Sequence, residues 1–300
     1  MKLGPLTDAL LYRRLQAQRS AAPALSETRA LQLPAGTLRV LDTGGNRPVL
    51  LMAPDGPCVI EHYQALISDL RADFRVVCID LPGFGMSAPQ ADYHHGLRQG
   101  AEVLLGVLEA LEIDRATLAL SCVNGFYGIV AAQLQPRIVQ RLILCQTPSL
   151  QAMQQWVQRT VPKPITWPVI GQLLSFQGRA RIAQGWFKAA LARREDRPAF
   201  QAISHQNIAH GGCFCFAGVV QGTNASRHEL QQRAAPQVPT TLIWGDADRS
   251  HQATDPHSIQ TLLPQAEVIR LPGVGHFPDL EASTEFARIL RKLHQQEIAA

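Results

Sequence analysis

Three hundred residues suit one large domain, or a core that carries an insertion. Apolar side chains make up 46% and charged ones 17%, which allows a sizeable core. The formal net charge of +4 is too mild for a nucleic-acid-binding protein. No stretch reaches membrane-spanning length, and the N-terminus lacks the apolar run and cleavage site of a signal peptide, so a reducing cytoplasm is the expected location.

Residues 1–25 read as a helical extension. Leu6, Leu10, Leu11 and Leu15 recur at helical spacing with Arg13 and Arg14 opposite, a face for the body of the protein or a partner chain. Contact with a membrane surface is the second reading of such a helix. From 26 to 149, strand and helix patterns alternate. Thr37–Leu41, Val49–Met52 and Phe74–Ile79 are strand-like, and Glu61–Leu70 and Gly96–Leu111 are helical. Arg115–Ser121 then reads as a short buried strand, Asn124–Leu134 as a helix ending before Pro136, and Arg141–Cys145 as the next strand. Such alternation predicts right-handed crossovers and a mostly parallel sheet covered on both faces.

The pattern breaks at Thr147-Pro-Ser. Residues 150–236 are helical in character, punctuated by prolines at 162, 164, 168 and 198, and the α/β pattern resumes over 237–300. The inserted stretch reads as a helical cap over a site. Residues 151–235 carry ten Lys/Arg and only three Asp/Glu. That is either a solvated surface or a docking face for an acidic carrier.

Six cysteines are present. Cys78 and Cys145 lie in apolar strand patterns, where a thiol packs as a small hydrophobe. No cysteine or histidine spacing matches a zinc site, and no cofactor motif appears, so neither a metal nor a cofactor is expected.

Chemistry points to Cys122, at the turn from buried strand to helix. Such a turn projects its residue up and out of a sheet. Further on, Leu242-Ile-Trp-Gly-Asp-Ala-Asp248 reads as a late strand ending in an acidic loop, and Leu271-Pro-Gly-Val-Gly-His276-Phe-Pro-Asp-Leu-Glu as an exposed loop carrying a histidine. In these residues and in their order, nucleophile then acid then base, the chain resembles the α/β-hydrolase family over about residues 36–295.

That resemblance implies an eight-stranded, mostly parallel sheet flanked by helices, and assigns roles. Pro136 follows Cys122 by fourteen residues, the family's usual distance from nucleophile to helix-ending proline. Ser121, the alternative nucleophile, would face the other side of its strand. His276 is the expected base, and Asp248, rather than Asp246, its orienting acid. Asp279 and Glu281 sit too near His276 in sequence for that task. The oxyanion hole falls to the backbone N–H of Val123 and of Asp55 or Gly56, because Pro54 and Pro57 have none.

The elbow departs from Gly-x-Ser-x-Gly: Leu120 and Asn124 replace the flanking glycines. The usual His-Gly of the oxyanion loop is here Ala53-Pro-Asp-Gly-Pro57. An acidic side chain aimed at a forming oxyanion opposes it, so Asp55 must turn away or serve another purpose. At a helix N-terminus beside a histidine, Cys122 is expected to have a lowered pKa. The implied chemistry is hydrolysis of an ester or thioester through an S-acyl enzyme. The alternatives are acyl transfer or lactone formation, and a non-catalytic small-molecule binder. No aspartate stands at position 122, as dehalogenase or epoxide-hydrolase chemistry requires. Of the aromatics between 156 and 216, Trp186, Phe214 and Phe216 are the expected pocket wall; the alternative is packing within the insertion. His251 and His210 are weaker candidates, with packing or surface roles favoured. The expected partner is a small acyl substrate, with an acyl carrier protein or coenzyme A thioester as the possible donor.

Overall fold

The computed structural model describes residues 2–17, 25, 27–230 and 234–299. Eight principal strands run in chain order: β1 Thr28–Leu33, β2 Gly36–Asp42, β3 Val49–Ala53, β4 Arg75–Ile79, β5 Ala116–Ser121, β6 Val139–Cys145, β7 Thr240–Gly245 and β8 Glu267–Leu271. They lie side by side as β1-β2-β4-β3-β5-β6-β7-β8. The pairs β1–β2 and β2–β4 are antiparallel, and every later neighbour along that order is parallel. The two residues Ala88–Pro89 add a short rung beside β2.

The central strands are apolar throughout because both faces are covered. Along β5, Leu118 and Leu120 enter one core layer and Ala119 the other; along β6, Leu142 and Leu144 face one way, Ile143 and Cys145 the other. This is the two-residue period of a pleated strand. Helices α3 (Leu97–Ala110) and α4 (Val123–Leu134) cover the first layer. Helices α2 (Gln64–Leu70) and α10 (Ser283–Ala299) cover the second, with the four-residue α9 (Pro278–Glu281) beside them. Cys78 and Cys145 are buried in that second layer as small apolar groups. Among the described residues no disulfide forms.

Residues 150–225 contribute α5 (Leu150–Thr160), α6 (Ile170–Ala190), α7 (Arg197–Ala209) and α8 (Phe216–Ala225). A miniature antiparallel pair joins Cys213–Phe214 to Phe84–Gly85, in the loop after β4. Among the described residues no helix is long and apolar enough to cross a membrane.

Three local expectations need correction. The N-terminal helix α1 (Leu3–Ala17) forms; of the four expected leucines Leu6, Leu11 and Leu15 are half-buried and Leu10 is exposed, while the fully buried positions are Gly4, Asp8, Ala9 and Tyr12. Its inward face carries polar groups that find partners in the inserted helices, so a count of leucines misjudges it. Residues 18–24 of that extension, and 231–233 of the insertion, lie outside the described residues. Strand β1 was not anticipated; it is a half-exposed edge strand with a weak apolar pattern. The helix expected over Glu61–Leu70 begins instead as a 3₁₀ turn, Ile60–Tyr63.

Close backbone approach fixes the carboxyl ends of β7 and β8. A Cβ on Gly245 would lie 2.0 Å from the carbonyl oxygen of Gly275 and 2.6 Å from that of Val274, and backbone cannot rotate away. Gly245→Ala is therefore expected to destabilise the protein by about 1–3 kcal/mol and to lower Tm by several degrees in a thermal melt.

Candidate active site

The carboxyl ends of four parallel strands supply the site. Cys122 follows β5, Asp55 follows β3, Asp248 follows β7 and His276 follows β8. This edge of an open α/β sheet is where ligands bind, because successive loops diverge there and leave a crevice.

Cys122 has φ 54° and ψ −125°, a left-handed conformation that a side chain resists. Hydrogen bonds hold it there. Its N–H donates to Cys145 O (2.8 Å), and its carbonyl accepts from Thr147 Oγ1 (3.0 Å) and Gly125 N (3.2 Å). Gly125 is needed because Thr147 fills the space a Cβ would take, its Oγ1 only 2.3 Å away. Leu120, in place of the usual glycine, lies in the groove left by Gly128, whose Cβ would sit 2.6 Å from it. Asn124 donates from Nδ2 to Pro54 O (3.1 Å), tying the elbow helix to the loop after β3.

Ser121 faces away from the cysteine. Its hydroxyl donates to Asp279 Oδ2 (3.2 Å), which also accepts from Tyr63 OH (2.6 Å). Glu281 accepts from the backbone N–H of Ala192 (2.8 Å) and Phe277 (3.2 Å) and so shapes the histidine loop. Asp246 pairs with Arg270 at the surface.

His276 is fully buried between two carboxylates. Nδ1 is 2.7 Å from Asp248 Oδ2, and Nε2 is 3.3 Å from Asp55 Oδ2. Asp248 accepts three further hydrogen bonds: from Gln146 Nε2 (2.8 Å) and from Ser250 N and Oγ (2.8 and 2.6 Å). Burial opposes the Asp248 charge, but the imidazole and these donors outweigh it and hold the carboxylate ionised, below its ordinary range. Burial likewise opposes a charge on His276; Asp248, with hydrogen bonds to Asp55 and Cys122, overcomes it and pushes the imidazole well above its usual value. Burial pushes the Asp55 carboxyl up, the imidazole resisting. One proton between Nε2 and Asp55 Oδ2 satisfies both atoms.

Cys122 corrects an expectation. Its thiol is raised, first by burial and then by the charge of Asp55, against the lowering influence of His276 and the Val123 N–H. The resting group is a thiol. Asp55, expected to turn from the oxyanion position or to serve another purpose, reaches with Oδ2 to the imidazole.

The remaining predicted residues line one cavity of about 490 Å³. Asp55, Gly56, Cys122 and Val123 form its floor, and Trp186, Phe214 and Phe216 lie in its walls with Trp156 and Val157. Phe176 packs on Tyr12, and Phe187 and Phe200 pack with Phe277, away from the cavity. Sequence reasoning understated His251. It is buried, sandwiched in a stack between Trp156 (5.2 Å) and His276 (5.3 Å), and its Nε2 has no hydrogen-bond partner among the described residues. Burial and the neighbouring imidazolium push it down to about 3, so it is neutral. His210 is remote, at the end of α7. Ligand atoms of Cys122, His251 and His276 lie within 4.8 Å of one another; among the described residues one other such group exists, Asp8, His95 and Cys215.

Comparison with known proteins agrees with this architecture. A family model described as "Alpha/beta hydrolase family" matches residues 49–289, and the chain belongs to that family. It is 31% identical over 105 residues to a 2-hydroxy-6-oxo-2,4-heptadienoate hydrolase of Pseudomonas putida, covering 34% of this chain and 38% of that one. It is 28% identical over 222 residues to the dihydrolipoyllysine-residue acetyltransferase component of an acetoin cleaving system from Pseudomonas putida, covering 72% and 55%. The chain thus spans roughly a third to a half of the length of these curated relatives. Among solved structures, an epoxide hydrolase from an endophytic Streptomyces superposes with TM-score 0.77 at 16% identity, covering 91% of this chain and 96% of that one. Est816, an N-acyl homoserine lactone degrading enzyme, gives 0.68 at 20%, covering 88% and 99%.

The carboxylate beside the thiol supplies a test. Asp55→Asn removes the charge that raises Cys122, so its thiolate fraction grows. Iodoacetamide is expected to alkylate Cys122 several-fold faster in this variant at pH 7, read by intact-protein mass against time. An unchanged rate would show that Asp55 does not act on the thiol.

Proposed function

We propose that this protein hydrolyses an ester or thioester by covalent catalysis on Cys122. The observation that carries the reading is the buried constellation in which Cys122 Sγ lies within 4.8 Å of a ring nitrogen of His276, whose Nδ1 is 2.7 Å from Asp248. Cys122, where an epoxide hydrolase would need aspartate, supports acyl transfer through sulfur over that chemistry.

His276 and Asp55 share one proton at rest and accept a second from the thiol. As sulfur bonds to the acyl carbon, the carbonyl π electrons move to oxygen. The N–H groups of Val123 and Gly56, both residues of the cavity floor, are assigned to that developing charge. Asp55, now neutral, no longer sets a repulsive charge near it. Collapse of the intermediate expels the alcohol or thiol, which takes a proton from the His276–Asp55 pair. Water, deprotonated by the same pair, then attacks the S-acyl enzyme, and the thiolate leaves and is reprotonated. Asp248, held by four hydrogen bonds, keeps the imidazole oriented throughout.

A cavity with mostly apolar walls, within the usual 300–1,000 Å³ of a small-molecule site, suits an apolar acyl group of moderate size. The basic residues of 151–235 support a negatively charged donor, an acyl carrier or coenzyme A thioester. On such a donor, kcat/KM is expected to fall as salt rises from 50 to 500 mM, whereas turnover of a neutral ester holds steady.

The central test uses a p-nitrophenyl acyl ester. The wild type is expected to show an acyl adduct on Cys122 by intact mass, and Cys122→Ala to lose the adduct and at least about a thousandfold of kcat/KM. Ligand binding without an adduct or turnover would instead make this a non-catalytic binder. Product carrying an alcohol or amine in place of water would make it an acyltransferase.

A further inference from the structure

A second cluster of reactive groups lies away from Cys122. Asp8 comes from α1, His95 from the loop before α3, and Cys215 from the turn before α8. All three are at least 97% buried. One ligand atom from each lies within 4.8 Å of the other two.

Burial of such groups is costly unless each is satisfied. Asp8 hydrogen-bonds Gln172 and Cys215, yet Asp8 Oδ2 and His95 Nε2 have no hydrogen-bond partner among the described residues. Both unsatisfied atoms pack beside Gly218, where a Cβ would lie 2.9 Å from each and 2.7 Å from His95 Cδ2. On the other side, a Cβ on Gly83 would lie 2.9 Å from Cys215 Sγ and 2.9 Å from His95 Cε1. Two glycines thus let the carboxylate, imidazole and thiol pack together against the backbone. The edge of Tyr93 packs on the His95 ring at 4.7 Å and fixes its plane.

We propose that Asp8, His95 and Cys215 bind one divalent cation of zinc-like preference. Oxygen, nitrogen and sulfur donors together suit a borderline-soft ion, and bonds of about 2.0–2.3 Å set tetrahedral donors some 3.3–3.8 Å apart. The observed spread therefore needs only a small contraction. Carboxylate and thiolate cancel the charge of the ion, so the loaded site is neutral, as a dry interior demands. The ion would clamp α1 to the core and to Cys215, which stands between the cavity residues Phe214 and Phe216. Positions 8, 95 and 215 lie too far apart in the chain for ligand spacing to reveal the site.

Cobalt(II) is the probe. The full chain, stripped with a chelator and titrated with Co²⁺, is expected to bind one equivalent and to develop a thiolate-to-cobalt absorption in the near ultraviolet. The band should persist in Cys122→Ala and vanish in Cys215→Ser, with far-UV circular dichroism confirming the fold of each. Asp8→Asn, which keeps shape and helix, should weaken binding by about tenfold or more. Failure of the wild type to bind Co²⁺ overturns the proposal. So does a band that survives Cys215→Ser, or one lost in Cys122→Ala, which would place the ion at Cys122, His251 and His276. Should Cys215→Ser not fold, undiminished binding by Asp8→Asn overturns it alone.

Discussion

At Cys122 the backbone turns from strand to helix through a left-handed conformation that costs about 1–3 kcal/mol for a residue with a side chain. The bend survives because the surrounding sheet over-determines it. The neighbouring strand accepts its N–H, and Thr147 and the first turn of α4 donate to its carbonyl. The site inherits its geometry from this bend. Sulfur points into the crevice, Ser121 points back toward Asp279, and Asn124 hooks the loop that carries Asp55.

Around that bend the protein gathers charges that water would ordinarily hold apart. Asp248 can remain ionised under burial because four hydrogen bonds converge on it. Among the described residues Asp55 has no comparable set of donors, and its Oδ2 reaches the imidazole instead. Two aspartates flank one ring, and their different partners shift them in opposite directions, Asp248 down and Asp55 up. An apolar cavity over this arrangement strengthens every electrostatic contact within it, since little solvent competes.

The sequence revealed what is local and withheld what is assembled. Strand-to-helix punctuation exposed Cys122, the turn after Trp244 exposed Asp248, and the glycine-rich loop exposed His276. Asp55 was legible only as a departure: its charge conflicted with the oxyanion position, but nothing in the chain said that the carboxylate reaches a ring 221 residues away. Gln146, Ser250 and His251 matter through contacts between separate loops, which no periodicity encodes. The N-terminal helix misled for a related reason. Its leucines suggested the buried face, whereas Asp8 and Tyr12 turn inward toward partners supplied by remote segments.

The miniature ladder between Phe84–Gly85 and Cys213–Phe214 has a mechanical meaning. Phe84 abuts Gly56, where even a methyl group would lie 2.4 Å from its ring, and Gly56 flanks the cysteine. The inserted helices are thereby geared to the floor beneath them. One side chain, Phe84, touches both Phe214 in the wall and the Gly56 peptide in the floor, so a single ring sets the spacing between them.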